Sequence, residues 1–309
     1  VPSEAPGTVK SEGKSEYIAH LEEKYADYQE VPYGLDITKK TDLVGICYST
    51  WFTKIHTYTP AGDEPPNISE ALSGARPWGG HTAFHYWAKP ALGYYSSDDK
   101  EVIRTHMTQL YEMGADYIII DNTNASIDWK KNSDWNLFIT RPCRALLNTI
   151  VEMREEGLKT PYVVFWSAAD TKKGWSVAEE TYDQFISKEK WKDCFVYWEG
   201  KPFMLITGSP TGKPSCEITV RRQWGLDPMP AAGVWSFLNI KNVPTLDADG
   251  FVEQTCVCAA VQETYMTEPT AHGRNHGIFM YEQWKNAFDY RPKAITITWW
   301  NEWLSLIHI

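Results

Sequence analysis

The sequence has no apolar run that approaches the roughly 20 residues needed to cross a bilayer, so an integral membrane segment is excluded. It also has no basic stripe, because its 30 Lys and Arg residues are outnumbered by 40 Asp and Glu residues, and the formal net charge is -10. A chain of this charge is repelled by phosphate backbones. Nucleic acid is therefore not an expected partner.

Several motifs that identify common enzyme classes are also missing. None of the six cysteines has Cys-x-x-Cys spacing, there is no His-Glu-x-x-His zinc motif, and no glycine-rich nucleotide loop follows a predicted strand. No local serine-hydrolase signature occurs. We expect no metal and no cofactor, and we interpret Cys256 and Cys258 as small core residues of one strand face.

Aromatic residues, in contrast, are abundant, with 15 Trp and 17 Tyr. A large core accounts for part of them. Sugar rings have apolar C–H faces and polar edges, and they stack on flat amphipathic side chains such as indoles. Tryptophan enrichment in an acidic chain therefore favours an oligosaccharide or polysaccharide as the partner.

The domain organisation is simple. Residues 1–16 are rich in Pro, Gly, Ser, Glu and Lys and are expected to form a flexible tether, such as follows a removed signal peptide. We accordingly expect a secreted or periplasmic protein, or one that is lipid-anchored at the bacterial surface. Residues 17–309 are expected to form one catalytic domain, and the protein to be a monomer. Residues 304–309 have neither a helix cap nor helical polarity, so we expect the chain to be truncated after its last strand.

The fold class follows from an alternation of short β-rich runs with amphipathic helical patterns, which is typical of a parallel sheet built from βα units. Strand patterns occur at residues 43–49, 115–121, 161–167, 201–206, 233–239, 256–261 and 294–300. Helical patterns occur at 16–29, 98–112, 135–156, 177–188 and 278–290, with Ser97 or Asp98 as the cap of the second. Glu199-Gly200 predicts a turn between 201–206 and a short preceding arm. The sequence predicts an α/β fold of the (β/α)8 TIM-barrel type, and an open doubly wound sheet is the alternative.

Candidate functional residues follow from the rule that the carboxyl ends of barrel strands converge on the active site. The carboxylates expected to be catalytic are Asp121, Glu263 and Glu302. The residues expected to bind substrate are at the strand ends, in the long first loop or beside Glu302: Trp51, Trp78, His81, Trp87, Asn122, Trp166, Asp170, His272, Arg274, Asn301 and Trp303. Paired carboxylates at such positions supply the proton transfers that glycoside hydrolysis requires.

Each candidate has a structural alternative. For Asp121 it is a helix cap or loop anchor, for Asp170 a turn, and for His272 and Arg274 a loop brace. Glu302 is the strongest candidate, because the tryptophans around it desolvate its carboxyl and are expected to raise its pKa towards that of a working acid or base. Its alternative is a brace that holds a loop by hydrogen bonding.

Four motifs, in order along the chain, resemble glycoside hydrolase families 71 and 99. Leu92-Gly-Tyr-Tyr-Ser-Ser-Asp98 precedes the segments Glu101-Val-Ile-Arg-Thr-His106 and Gly114-Ala-Asp-Tyr-Ile-Ile-Ile-Asp121, as at the start of those barrels. Gly200-Lys-Pro-Phe-Met-Leu-Ile206 resembles their "Gly-Lys-Pro-apolar" strand, and Ile297-Thr-Trp-Trp-Asn-Glu-Trp303 their last-strand motif. The resemblance covers residues 43–303 and implies a TIM-barrel glycoside hydrolase.

Family 99 enzymes are retaining endo-α-mannosidases and mannanases whose last-strand motif reads Asn-Glu-Trp-His-Glu. The resemblance implies that Glu302 matches the first Glu, the base on the sugar 2-hydroxyl. Ser305 occupies the position of the second Glu, the acid/base. The resemblance therefore implies the fold and the general reaction, but not the linkage that is cleaved.

The leading interpretation is thus a glycoside hydrolase with carboxylate acid/base catalysis. One alternative is a non-catalytic carbohydrate-binding barrel, which would keep the tryptophan platforms and lack a second carboxylate near Glu302. Another is a polysaccharide lyase or transferase. A lyase favours a basic site for uronate carboxylates, and only Arg274 and the histidines point to one.

Overall fold

The computed structural model describes residues 14–52, 73–75, 90–123, 136–226, 233–239, 243–261 and 272–301. The strands are β1 (Leu35–Asp36), β2 (Leu43–Tyr48), β3 (Tyr117–Asn122), β4 (Tyr162–Ser167), β5 (Val196–Trp198), β6 (Lys201–Ile206), β7 (Thr219–Trp224), β8 (Trp235–Ser236), β9 (Thr245–Leu246), β10 (Val252–Cys258) and β11 (Ala294–Thr298). The α-helices are α1 (Lys14–Lys24), α2 (Lys100–Glu112), α3 (Arg141–Glu155), α4 (Ser176–Thr181) and α5 (Ile278–Tyr290). None of the helices in these ranges is long and apolar enough to span a bilayer.

Eight strands form the parallel sheet, in the order β2, β3, β4, β6, β7, β8, β10 and β11. Backbone ladders join seven of the junctions, including the one from β11 back to β2. Among the described residues no ladder joins β8 to β10. There the buried Gln254 amide accepts from the Ser236 N–H at 3.0 Å and donates to the Ser236 carbonyl at 2.7 Å. The predicted α/β class with a parallel sheet is confirmed.

The parallel strands β2, β3 and β4 are apolar on both faces, because one face packs inward and the other under helices. Along β3, Tyr117 and Ile119 belong to an inner cluster, which also contains side chains from β2, β4, β6, β8, β10 and β11. Ile118 and Ile120 belong to an outer cluster with the apolar side chains of α2 and α3. Since successive side chains of a strand face opposite sides, Asp121 continues the inner face.

The hairpin predicted at Glu199-Gly200 is confirmed, since β5 pairs antiparallel with β6.

The sequence patterns predict seven parallel strands, and the structure adds an eighth, β7. Arg221 on β7 donates from Nε and Nη2 to both carboxylate oxygens of Glu253, at 2.8 and 3.0 Å. Its guanidinium also lies 4.1 Å from the centroid of the Trp198 ring. These contacts neutralise the charge of Arg221. They therefore allow β7 to form a strand of the sheet although its sequence contains no apolar run.

Several predicted boundaries were wrong. Helix α2 is capped by Asp99, whose carboxylate accepts from the N–H groups of Glu101 and Val102 at 3.0 and 3.4 Å, and not by Ser97 or Asp98. The helix predicted at 135–156 becomes a π-helical turn, Asn136–Thr140, followed by α3. The helix predicted at 177–188 similarly ends as α4 and continues as a π-helical turn, Tyr182–Ile186. The strand predicted at 256–261 is β10, which begins four residues earlier.

The amino-terminal ends of the strands are covered by the segment that precedes β2. Lys293, which is fully buried just before β11, donates from Nζ to the backbone carbonyls of Ile37, Thr38 and Lys40, at 2.5, 3.2 and 2.6 Å. Burial lowers the pKa of Lys293 to about 7, and its amine, with three carbonyl acceptors, anchors this segment to the sheet. The opposite, carboxyl-terminal ends carry most of the candidate residues.

Candidate active site

Asp121 lies at the carboxyl end of β3 and is 6% exposed. Its Oδ1 accepts a hydrogen bond from the Thr123 N–H at 2.8 Å. Burial raises the pKa of Asp121 to about 6, although the bonds from Thr123 favour the charged form. Beside it, the Trp51 indole N–H donates to the Asp121 backbone carbonyl at 3.4 Å. A carboxyl group with this pKa can exchange a proton with substrate at mildly acidic pH.

The chain just after β11 is fixed at the same end of the sheet. Asn301 accepts from the Ser49 N–H and donates to the Ser49 carbonyl, both at 2.8 Å. Ser49 directly follows β2, which neighbours β3, so Asn301 and Asp121 lie at the same end. The Tyr95 phenol also hydrogen bonds to the Asn301 side chain, and burial raises the pKa of Tyr95 to about 12. The first and last of the quoted motifs are thus in direct contact.

A buried histidine supports this contact, and sequence reasoning did not select it. The His106 ring on α2 shares a hydrogen bond with the Tyr48 hydroxyl at 3.0 Å. It also meets the rings of Tyr95 and Trp300 edge to face, with centroids 5.4 and 5.8 Å apart. Burial lowers the pKa of His106 to about 4, so the imidazole is neutral at physiological pH. The available signal was a histidine on the apolar face of α2, three residues after Ile103.

An aromatic layer lies on the inner face between β4, β8 and β11. The Trp166 and Phe237 ring centroids are 4.8 Å apart, and Trp299 lies 6.2 Å from the first and 5.7 Å from the second. Among the described residues, the buried indole N–H groups of Trp166 and Trp299 have no hydrogen-bond acceptor. Trp166 was expected at the site, whereas Phe237 and Trp299 were not selected.

Two predicted substrate-binding residues make hydrogen bonds within the scaffold. Asn122 is fully buried on the outer side of the sheet, where its amide donates to the Thr181 hydroxyl of α4 at 2.8 Å. Asp170 forms a turn, in which its Oδ1 accepts from the N–H groups of Lys172 and Lys173 at 2.7 and 2.8 Å. The bond from Lys173 is the main cause that lowers the pKa of Asp170. Through these hydrogen bonds, Asn122 links the sheet to α4 and Asp170 stabilises a turn.

His272 and Arg274 are exposed and lie between β10 and α5. The backbone of His272 pairs with that of Val261, with N–O distances of 3.0 and 2.7 Å, and its ring stacks on Phe279 at 6.4 Å. The remaining candidates, Trp78, His81, Trp87, Glu263, Glu302 and Trp303, lie outside the described residues. Within the described part of the chain, no group of three or more His, Cys, Asp and Glu side chains could hold a metal ion.

No protein-family model matches the sequence, and no curated protein matches it. Two solved structures of the glycoside hydrolase family 99 endo-α-mannosidase from Bacteroides thetaiotaomicron are similar in fold, one of them in complex with Bis-Tris propane. Their TM-scores are 0.55 and 0.56, and both are 14% identical to this chain. The alignments cover 85% of this chain and 85% and 86% of theirs. The family 99-like fold implied by the four motifs is therefore confirmed.

Proposed function

We propose, from a fold shared with family 99 glycoside hydrolases, that this protein hydrolyses glycosidic bonds in an oligo- or polysaccharide. The observation that carries the proposal is the buried Asp121 carboxyl at the carboxyl ends of the strands, at the same end as Asn301. Glu302 directly follows Asn301 in the sequence. The Asn301–Ser49 contact therefore anchors the chain next to the second carboxylate that the reaction needs.

In the proposed reaction, Glu302 transfers a proton to or from a sugar oxygen, and Asp121 is the partner carboxyl. Hydrolysis of this kind needs one group to protonate the leaving oxygen and one to assist the attack. Burial of Asp121 keeps a fraction of it protonated near pH 6, which suits it to proton exchange with substrate. Glu263, Trp51 and Trp303 complete the proposed site.

We further propose that the eight parallel strands form a closed (β/α)8 barrel. The Gln254 amide, which bonds to both backbone groups of Ser236, would close the junction between β8 and β10, where the described residues form no ladder. A closed barrel supports the function because it brings all strand ends to one mouth. We also propose export from the cell, since a polysaccharide substrate is extracellular.

The test is the release of new reducing ends from a glycan panel at pH 6. Yeast α-mannan comes first, because the similar structures are endo-α-mannosidases; xylan, β-glucan, pectin and chitin follow. Glu302→Gln and Asp121→Asn should each lower kcat by at least ~10²-fold, the lower bound usual for acid–base groups. Asp116→Asn is the matched control, since Asp116 is a partly buried carboxyl at the opposite end of the same strand, where it accepts from the Val44 N–H at 2.7 Å.

The alternatives give different results. Glycan binding without cleavage would support a carbohydrate-binding barrel instead of an enzyme. Products with the ultraviolet absorbance of an unsaturated sugar would support a lyase. Equal losses in the Asp116 and Asp121 variants would show that the effect of Asp121 is structural.

A further inference from the structure

The interior of the sheet contains a second polar feature, which the proposed acid/base pair does not use. Gln223 on β7 is fully buried, and neither its amide oxygen nor its amide nitrogen has a hydrogen-bond partner among the described residues. Buried amides in folded proteins are nearly always paired. An exception of this kind requires an explanation, and a role in function is one.

Gln223 lies beside the aromatic layer. It is opposite Trp235 in the parallel ladder between β7 and β8. The next residue along, Trp224, accepts the Phe237 N–H through its backbone carbonyl at 3.3 Å. Phe237 belongs to the layer, in which the indole N–H groups of Trp166 and Trp299 have no acceptor within the described ranges. Gln223 on β7, Trp166 on β4 and Trp299 just after β11 therefore surround Phe237 towards one end of the sheet, each with hydrogen-bonding groups that have no partner among the described residues.

The chemistry of these groups specifies a class of ligand. An amide offers one acceptor and two donors, and each indole offers one donor, all of them uncharged. Hydroxyl groups both donate and accept, so a polyol satisfies such a set without introducing a charge. The aromatic faces between the polar groups suit the C–H face of a sugar ring. Phe237 and Trp299 directly follow β8 and β11, so the layer lies at the carboxyl ends of these strands.

We propose that Gln223, with the indole N–H groups of Trp166 and Trp299, is the floor of the sugar-binding site and binds neighbouring hydroxyls of one sugar ring. The proposal rests on the proposed function and deepens it, because it assigns specificity to a residue that is neither acid nor base. Since the groups are shielded from bulk water, a ligand hydroxyl that reaches them meets little competition from solvent. Loss of one such contact should reduce discrimination between sugars that differ at a hydroxyl.

The test compares two buried glutamines on the same sheet. In Gln223→Leu, an amide without a partner is replaced by an apolar group of similar size, so the melting temperature should stay the same or rise. In Gln254→Leu, the control, the bonds to Ser236 and the 3.0 Å bond to Thr296 are lost, and the melting temperature should fall by several degrees. Activity is measured as kcat/KM on yeast α-mannan, or on whichever panel glycan the unaltered protein cleaves.

We expect Gln223→Leu to lower kcat/KM by at least about tenfold, as for the loss of a hydrogen bond to a substrate hydroxyl. Trp299→Phe, which removes the N–H, should give a smaller loss in the same direction. Unchanged kcat/KM in Gln223→Leu would overturn the inference while leaving hydrolysis intact. A fall in melting temperature with unchanged kcat/KM would also overturn it, because the amide would then hold a structural water. If the unaltered protein cleaves and binds no panel glycan, the proposed function fails, and the inference fails with it.

Discussion

Replacement of Asp121 by Asn should stabilise the protein and inactivate it at the same time. The pKa of Asp121 rises from an ordinary value of 3.8 to about 6 because burial disfavours the carboxylate. Above pH 6 the folded protein therefore retains a charge that its surroundings disfavour. A shift of roughly two pKa units corresponds to about 3 kcal/mol of destabilisation at neutral pH. Asn removes the charge, and its side-chain oxygen can still accept from the Thr123 N–H.

The sign of the pH dependence follows from the raised pKa. Between pH 3.8 and 6 the folded state binds more protons at Asp121 than the unfolded state does, so this residue makes stability fall as pH rises through that window. Below the window both states are protonated, and the substitution should change little. At pH 7.5 it should raise the melting temperature by roughly 5 °C, because the entropy of unfolding is about 2.1 cal/mol/K per residue.

The assay is thermal unfolding of the parent and Asp121→Asn at pH 4 and pH 7.5, together with glycan hydrolysis at pH 6. Asp170→Asn is the control of opposite sign, because backbone N–H donors lower the pKa of Asp170 and its charge stabilises the fold at neutral pH. Reduced stability of Asp121→Asn at pH 7.5 would refute the reasoning. So would full retention of hydrolytic activity in a stabilised Asp121→Asn protein.

Three further predictions concern the surroundings of the site and the opposite end of the sheet. Asn301→Ala should lower kcat by at least about tenfold, because the two bonds to Ser49 that anchor the chain before Glu302 are lost; a kcat equal to that of the parent would contradict the anchoring role. In NMR, the His106 imidazole should keep its neutral chemical shift down to about pH 5, since burial lowers its pKa to about 4; a midpoint near 6.5 would contradict its burial. Lys293→Met should lower the free energy of unfolding by about 2 kcal/mol or more, because three buried carbonyls lose their donor; chemical denaturation measures this, and an unchanged midpoint would show that the anchor is dispensable.

The fold was predictable wherever a strand is apolar on both faces. β2, β3 and β4 appear in the sequence as continuous apolar runs, and the structure has them within two residues of the predicted bounds. β7 was not predictable in this way, because it contains Arg221 and Arg222. Its position depends on the pairing of Arg221 with Glu253, a residue 32 positions further along the chain. Sequence periodicity contains no information about such a contact.

The candidate site could be predicted only in part, because the sequence shows where strands end but not how distant strands pack together. The rule of strand ends directs attention to Asp121, which lies on the inner side of the sheet and is buried. The same rule also selected Asn122, although strand alternation alone predicts that adjacent residues face opposite sides. Gln223 could not be selected while β7 was missing. Trp299 and Phe237 lie within predicted strand runs, but their ring contact depends on packing between strands far apart in sequence, as does the lack of an acceptor for the Trp299 indole N–H among the described residues.

The most direct test of the central claim is cleavage of the active panel glycan in oxygen-18-labelled water, followed by mass spectrometry of the products. Hydrolysis predicts one labelled oxygen at each newly formed reducing end, and Glu302→Gln should abolish the labelled product. Cleavage without incorporation of the label would contradict hydrolysis, as a lyase or transferase reaction does not place solvent oxygen there. Undiminished labelling by Glu302→Gln would remove Glu302 from the mechanism.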